Sequence, residues 1–154
     1  RDPYNWMASW YAWTDNLGHQ FRKDKEFRDR TIELWKKYAT LCLQWQLNDE
    51  SEKRQEQKVF INYNQWASSI DYRQSMAKKL GLTFNDKGKN KVSINGYGSS
   101  FSGVKHDGSA SQLKVLERWK QFTDEPVYLS CFDSEIHELA QKLFPKVASE
   151  FRTR

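Results

Sequence analysis

The 154-residue chain has no methionine at position 1, two cysteines, three prolines and no apolar stretch near the length of about 20 residues needed to cross a bilayer. Each shortage excludes something. Cys42 and Cys131 lie far apart and form no CxxC pair, and Cys42 sits among apolar residues of an expected helix, which predicts a buried free thiol there. With His19, His106 and His137 they show no metal-ligand spacing, so no metal site is expected. No spanning segment and no recognisable signal peptide are read in these residues. That suits a cytoplasmic protein, although a chain that starts inside a longer protein would also have shed its targeting signal. Glycine is scarce outside one window, and acids are outnumbered by bases, giving a formal net charge of +5. A basic balance favours anionic partners: nucleotides, nucleic acid, polyanionic sugars or anionic lipid.

What is abundant is aromatic. Fifteen per cent of residues are Phe, Trp or Tyr, seven of them Trp, which argues for a packed core in one domain. Asp2-Pro3 reads as an N-cap followed by proline at the first helical position. Trp6, Trp10, Trp13 and Leu17 then form one face, with Gly18 as its expected end. A second helix is predicted from about Lys25 to Leu47, burying Phe27, Thr31, Leu34, Trp35, Tyr38, Leu41, Cys42 and Trp45. The polar run 48–57 reads as a solvated connection. KVFINY (58–63) reads as the one convincing strand. Asp71 is expected to cap a third helix ending at Gly81. Five of the seven glycines fall between 83 and 111, marking a long loop. A fourth helix is predicted over about 112–122. Residues 127–132 read as a helical turn or an edge strand. A last helix should start at Asp133 and stop at Pro145.

A lone strand cannot satisfy its backbone groups. With an arginine at position 1 directly before a helix, the expectation is that the rest of the domain lies upstream. Arg1, Asn5 and Ser9 share a flank of the first helix beside the Trp stripe. A guanidinium fork, a hydroxyl and a helix N-terminus suit a phosphate monoester. The same residues also read as a solvated arginine and a surface serine.

R-D-P-x-N-x-x-x-S at a helix head resembles the 3′-phosphate-binding motif of sulfotransferases that use 3′-phosphoadenosine 5′-phosphosulfate. The resemblance implies that Arg1 and Ser9 contact that phosphate. In the family a strand ending in Tyr precedes a loop and a helix closed by Leu-Gly. VFINYNQW followed by YRQSMAKKLGL is similar, placing Tyr63 by the adenine. YGSSFSG resembles the family's adenine-lining segment, with Ser99 and Phe101 as contacts and Gly96, Gly98 and Gly103 permitting close approach. The implied architecture is the C-terminal, mostly helical portion of a P-loop sulfotransferase-like three-layer α/β domain spanning 1–154, with one strand and without the phosphosulfate-loop half.

The chain departs from the family where an Arg-Lys-Gly run should supply another phosphate grip. Lys105, Lys114 and Arg118 are the candidate substitutes. The phosphosulfate loop and the catalytic base are not found. The implied activity is sulfuryl transfer from the nucleotide cosubstrate to an unknown hydroxyl or amine acceptor, carbohydrate among the candidates, with this chain inert alone. Two other readings stay open: a basic non-enzymatic module for nucleic acid or sulfated glycan, and a nucleotide kinase-like phosphate-binding enzyme preferring ATP.

Overall fold

A computed structural model describes residues 1–13, 16–47, 59–93, 99 and 101–153. The chain order is α1 (Pro3–Ala12), α2 (Asn16–Lys23), α3 (Lys25–Leu47), α4 (Tyr63–Ser68), α5 (Ile70–Lys79), α6 (Pro126–Leu129), α7 (Ser134–Leu143) and α8 (Pro145–Arg152). Short 3-10 turns occupy Lys87–Asn90, Ala110–Gln112 and Arg118–Gln121. The polar connection 48–57, Lys58, Gly96 and Gly98 lie outside the described residues.

Helices dominate, and several of their starts are chemically specified. Asp2 accepts from the Asn5 N–H and caps α1, Ser69 caps α5, and Asp133 accepts from the Ile136 N–H to cap α7. α3 has the expected bounds, and Gly81 takes φ 67° just after α5. Asp71 sits in the first turn of α5, two residues past the Ser69 cap.

The expected α/β architecture is not what forms: the described residues contain no strand, only one isolated antiparallel bridge between Ser99 and Gly103. Residues 59–62 are irregular, and Asn62 caps α4 by accepting from the Gln65 N–H. The Asn62 N–H donates to the Tyr72 hydroxyl at 2.8 Å, so a side chain satisfies the group that a ladder would have used. Ile61 is half exposed, against its expected place in a buried strand. The predicted 112–122 helix is also replaced, by irregular chain between two 3-10 turns.

The core gathers around α1. Tyr4, Met7 and Ala8 are fully buried against Phe21 of α2, Trp119, Tyr128 and Cys131, with Ile136, Ala140 and Ala148 beneath. α3 contributes Ile32, Trp35 and Ala39, while Leu34, Tyr38 and Leu41 stay exposed, so its buried stripe is rotated from the expected one. α1 does not run on to Gly18. It stops at Ala12, and Gly18 lies buried inside α2, where a Cβ would come within 1.9 Å of the Trp13 carbonyl oxygen. Only glycine permits that contact. The helix begun at Asp133 stops before Pro145 as expected, but it is not the last: Pro145 begins α8 at its first position.

One buried ammonium joins α3 to the start of α7. Lys36 meets Asp133 at 2.7 Å, Glu135 at 2.8 Å and Glu33 at 3.1 Å. Burial opposes its charge, but these three carboxylates hold its proton more tightly than usual.

An aromatic cluster holds α8. The Tyr4 and Phe151 rings stack at 4.1 Å, and His137 Nδ1 lies 3.0 Å from the Tyr4 hydroxyl. Burial pushes the Tyr4 hydroxyl up to about 12, so it keeps its proton beside the imidazole. Burial, then the charge of Arg152, lowers the His137 pKa, with Asp133 opposing. A histidine whose folded pKa lies below its unfolded value of about 6.5 is protonated first in the unfolded chain. Its stability contribution is therefore whole above about pH 6.5 and is lost as pH falls below that. The unfolding free energy is expected to drop between pH 7 and 5, with this group supplying at most about 1.4 kcal/mol per pH unit. Urea titrations of wild type and His137→Phe check it: the variant's slope should be shallower, and identical slopes would refute the assignment.

Candidate functional site

A cavity of about 890 Å³ opens between α1, α4, the Lys87–Asn90 turn and the 99–118 segment. Its cationic lining residues are Arg1, Lys89, Lys91 and Arg118, and none of the described lining residues is Asp, Glu or His. All five residues singled out from the sequence, Arg1, Ser9, Tyr63, Ser99 and Phe101, line this one cavity.

The floor is built from the RDPxNxxxS stretch. Arg1 Nη1 donates to Ser9 Oγ at 2.8 Å across the first two turns of α1, and Ser9 Oγ donates to the Asn5 carbonyl at 3.0 Å. Arg118 Nη1 reaches the same Ser9 oxygen at 3.2 Å, and its Nη2 donates to Ser99 Oγ at 2.9 Å. Each guanidinium rests on an aromatic ring, Arg1 at 4.3 Å from the Tyr63 centroid and Arg118 at 4.8 Å from that of Phe101. Among the described residues neither has a carboxylate within ion-pair distance. Burial first, and then the charge of Arg1, bring the Arg118 guanidinium down to about 10. Two like charges held together without a counter-charge cost stability, and an entering anion would relieve that cost.

Asn5 does not flank a phosphate, as its helical spacing had suggested. It is fully buried, and its amide is a cross-link. Asn5 Nδ2 donates to both Asp2 carboxylate oxygens and to the Leu116 carbonyl at 3.0 Å, while Asn5 Oδ1 accepts the Arg118 N–H at 2.8 Å. Asp2, also buried, accepts from Asn64 Nδ2 of α4 at 2.7 Å. Trp35 Nε1 of α3 donates to the Arg1 carbonyl at 3.0 Å. Asp2, Asn5 and Trp35 thus fix the backbones that carry both guanidiniums.

Of the three proposed substitutes for the missing cationic run, the structure places Arg118 in the cavity, while Lys105 and Lys114 are exposed outside its lining. Sequence reading missed Trp66 and Lys89. The Lys89 ammonium donates to the Ala67 carbonyl at 2.7 Å and stands 5.8 Å over the Trp66 ring. The turn bearing Lys89 follows Asp86, whose carboxylate accepts two bonds from Arg73 of α5 at 2.8 and 2.7 Å. The Arg73 hydrogen bond, more than its charge, keeps Asp86 below the usual carboxylate range, against burial. No spacing rule connects Asp86 to Arg73, so this brace had no sequence signal. His106 lies outside the cavity lining, and His137 is taken up by Tyr4.

Among the described residues no group of three or more His, Cys, Asp or Glu is placed to hold a metal ion. Among them, too, no helix is long and apolar enough to cross a membrane. No family model, curated protein or solved structure matches the chain.

Proposed function

We propose that the chain binds 3′-phosphoadenosine 5′-phosphosulfate as the nucleotide-holding part of a sulfotransferase-like protein that passes a sulfuryl group to an acceptor hydroxyl or amine. The observation that carries the reading is the convergence of Arg1 and Arg118 on Ser9 Oγ with no described carboxylate between them. In this reading Arg1, Ser9 and Arg118 grip the ribose 3′-phosphate by charge-assisted hydrogen bonds. Tyr63, Ser99 and Phe101 border that grip on the nucleoside side. A cavity of about 890 Å³ is at the upper end of the range for small-molecule sites. With no Asp, Glu or His among its described lining residues, the part assigned to them is positioning, not proton transfer.

Isothermal titration of the 154-residue chain with adenosine 3′,5′-bisphosphate tests it. The expected result is one saturable site that ATP competes for only weakly and that is modestly sensitive to salt. Binding of nucleic acid or sulfated glycan that collapses steeply with salt, with no saturable bisphosphate site, would instead support a polyanion module. Tighter binding of ATP than of the bisphosphate would support the kinase-like reading.

A further inference from the structure

We infer that Trp66, clamped beneath Lys89, is the ring on which the nucleobase stacks. This rests on the nucleotide reading above and names the base-recognition residue within it. Three observations lead here.

First, the two rings expected to meet adenine carry guanidiniums at closer range than the 5.8 Å at which the Lys89 ammonium stands over Trp66. Tyr63 carries the Arg1 guanidinium at 4.3 Å, and Phe101 carries that of Arg118 at 4.8 Å with Phe122 tilted against it at 5.9 Å. Second, the indoles of α1 are spent on one another: Trp10 packs with Trp6, Trp13, Phe21 and Phe27 at 5.7–6.3 Å. Trp66 is 39% exposed, lines the cavity and lies near-parallel to Tyr63 at 6.0 Å, one ring away from Arg1. A base on Trp66 thus sits beside the phosphate grip, as a nucleoside 3′-phosphate requires. Third, Trp66 is held firmly. Arg73 Nη1 donates to its carbonyl at 2.7 Å, and the same guanidinium anchors Asp86 and so the turn that sets Lys89 over the indole. A fixed, exposed indole next to cations is the arrangement that stacks bases without reading their edges.

The test compares adenosine 3′,5′-bisphosphate with its abasic counterpart, the ribose bisphosphate lacking adenine, by calorimetry. Wild type should prefer the base-bearing ligand about tenfold or more. Trp66→Ala should lose about tenfold in affinity for the adenosine ligand and nothing for the abasic one, and Trp66→Phe should recover most of the loss. Matching urea midpoints confirm that each variant is folded. If Trp66→Ala weakens both ligands equally, or neither, the inference is overturned while the phosphate grip stands. If wild type binds neither ligand, the inference and the nucleotide reading fall together.

Discussion

Replacing Arg118 by methionine is expected to weaken binding of adenosine 3′,5′-bisphosphate about 100-fold without lowering the stability of the free protein. The affinity loss corresponds to about 2.7 kcal/mol, the size of one or two charge-assisted hydrogen bonds from a buried guanidinium. The stability term has the opposite sign. A cation whose folded pKa is brought from 12.5 to about 10 is held less tightly by the folded state than by the unfolded one. At neutral pH that difference is on the order of 3 kcal/mol against folding. Methionine removes it, keeps the length of the stem against Phe101 and forfeits the bonds to Ser9 and Ser99, roughly 1 kcal/mol each. The net expectation is a stability unchanged or about 1 kcal/mol higher by urea unfolding. A variant that is clearly destabilised and still binds at full strength would show that Arg118 is structural.

Asp2→Ala should lower both stability and binding. Its loss removes the α1 cap, worth about 1 kcal/mol, and takes an acceptor from the buried amide of Asn5, at roughly 1–3 kcal/mol, and from the half-buried amide of Asn64, at about 1 kcal/mol. A destabilisation of about 3–5 kcal/mol is expected, read from the urea midpoint at constant slope. Because the Asn5 amide also holds the Leu116 carbonyl and the Arg118 N–H, bisphosphate binding should fail in the same variant. Excess ligand should therefore raise the wild-type midpoint, since ligand binds only the folded chain, and leave the variant's where it is. Loss below 1 kcal/mol would mean that water replaces the carboxylate.

These two positions show where sequence reading succeeds and where it stops. The bounds of α3 were legible because a 23-residue amphipathic run needs no partner to declare itself. Asp133 and Gly81 were legible because caps act within four residues. The Arg1–Ser9 pairing is local, an arginine just before the α1 cap and a serine two turns into the helix. The choice of Arg118 does not, since it depends on Asn5 seizing backbone groups 111 and 113 residues away. The same seizure explains the missing 112–122 helix: the Leu116 carbonyl and the Arg118 N–H are committed to a side chain instead of to helical partners. The strand reading failed at Tyr63 because a short apolar run carries no sign of what will pair with it. Here Asn62, accepting from the Gln65 N–H, opens α4 at Tyr63 and leaves 59–62 irregular.

The Asn5–Arg118 link also gives the molecule a built-in reporter. An amide proton held at 2.8 Å by a fully buried side chain exchanges with deuterated water only when that side chain lets go. Asn5 is itself held by the α1 cap, so the opening that frees this proton also parts the two arginines. The exchange rate at one backbone position therefore reads the fraction of time the anion grip is assembled, without any ligand being added.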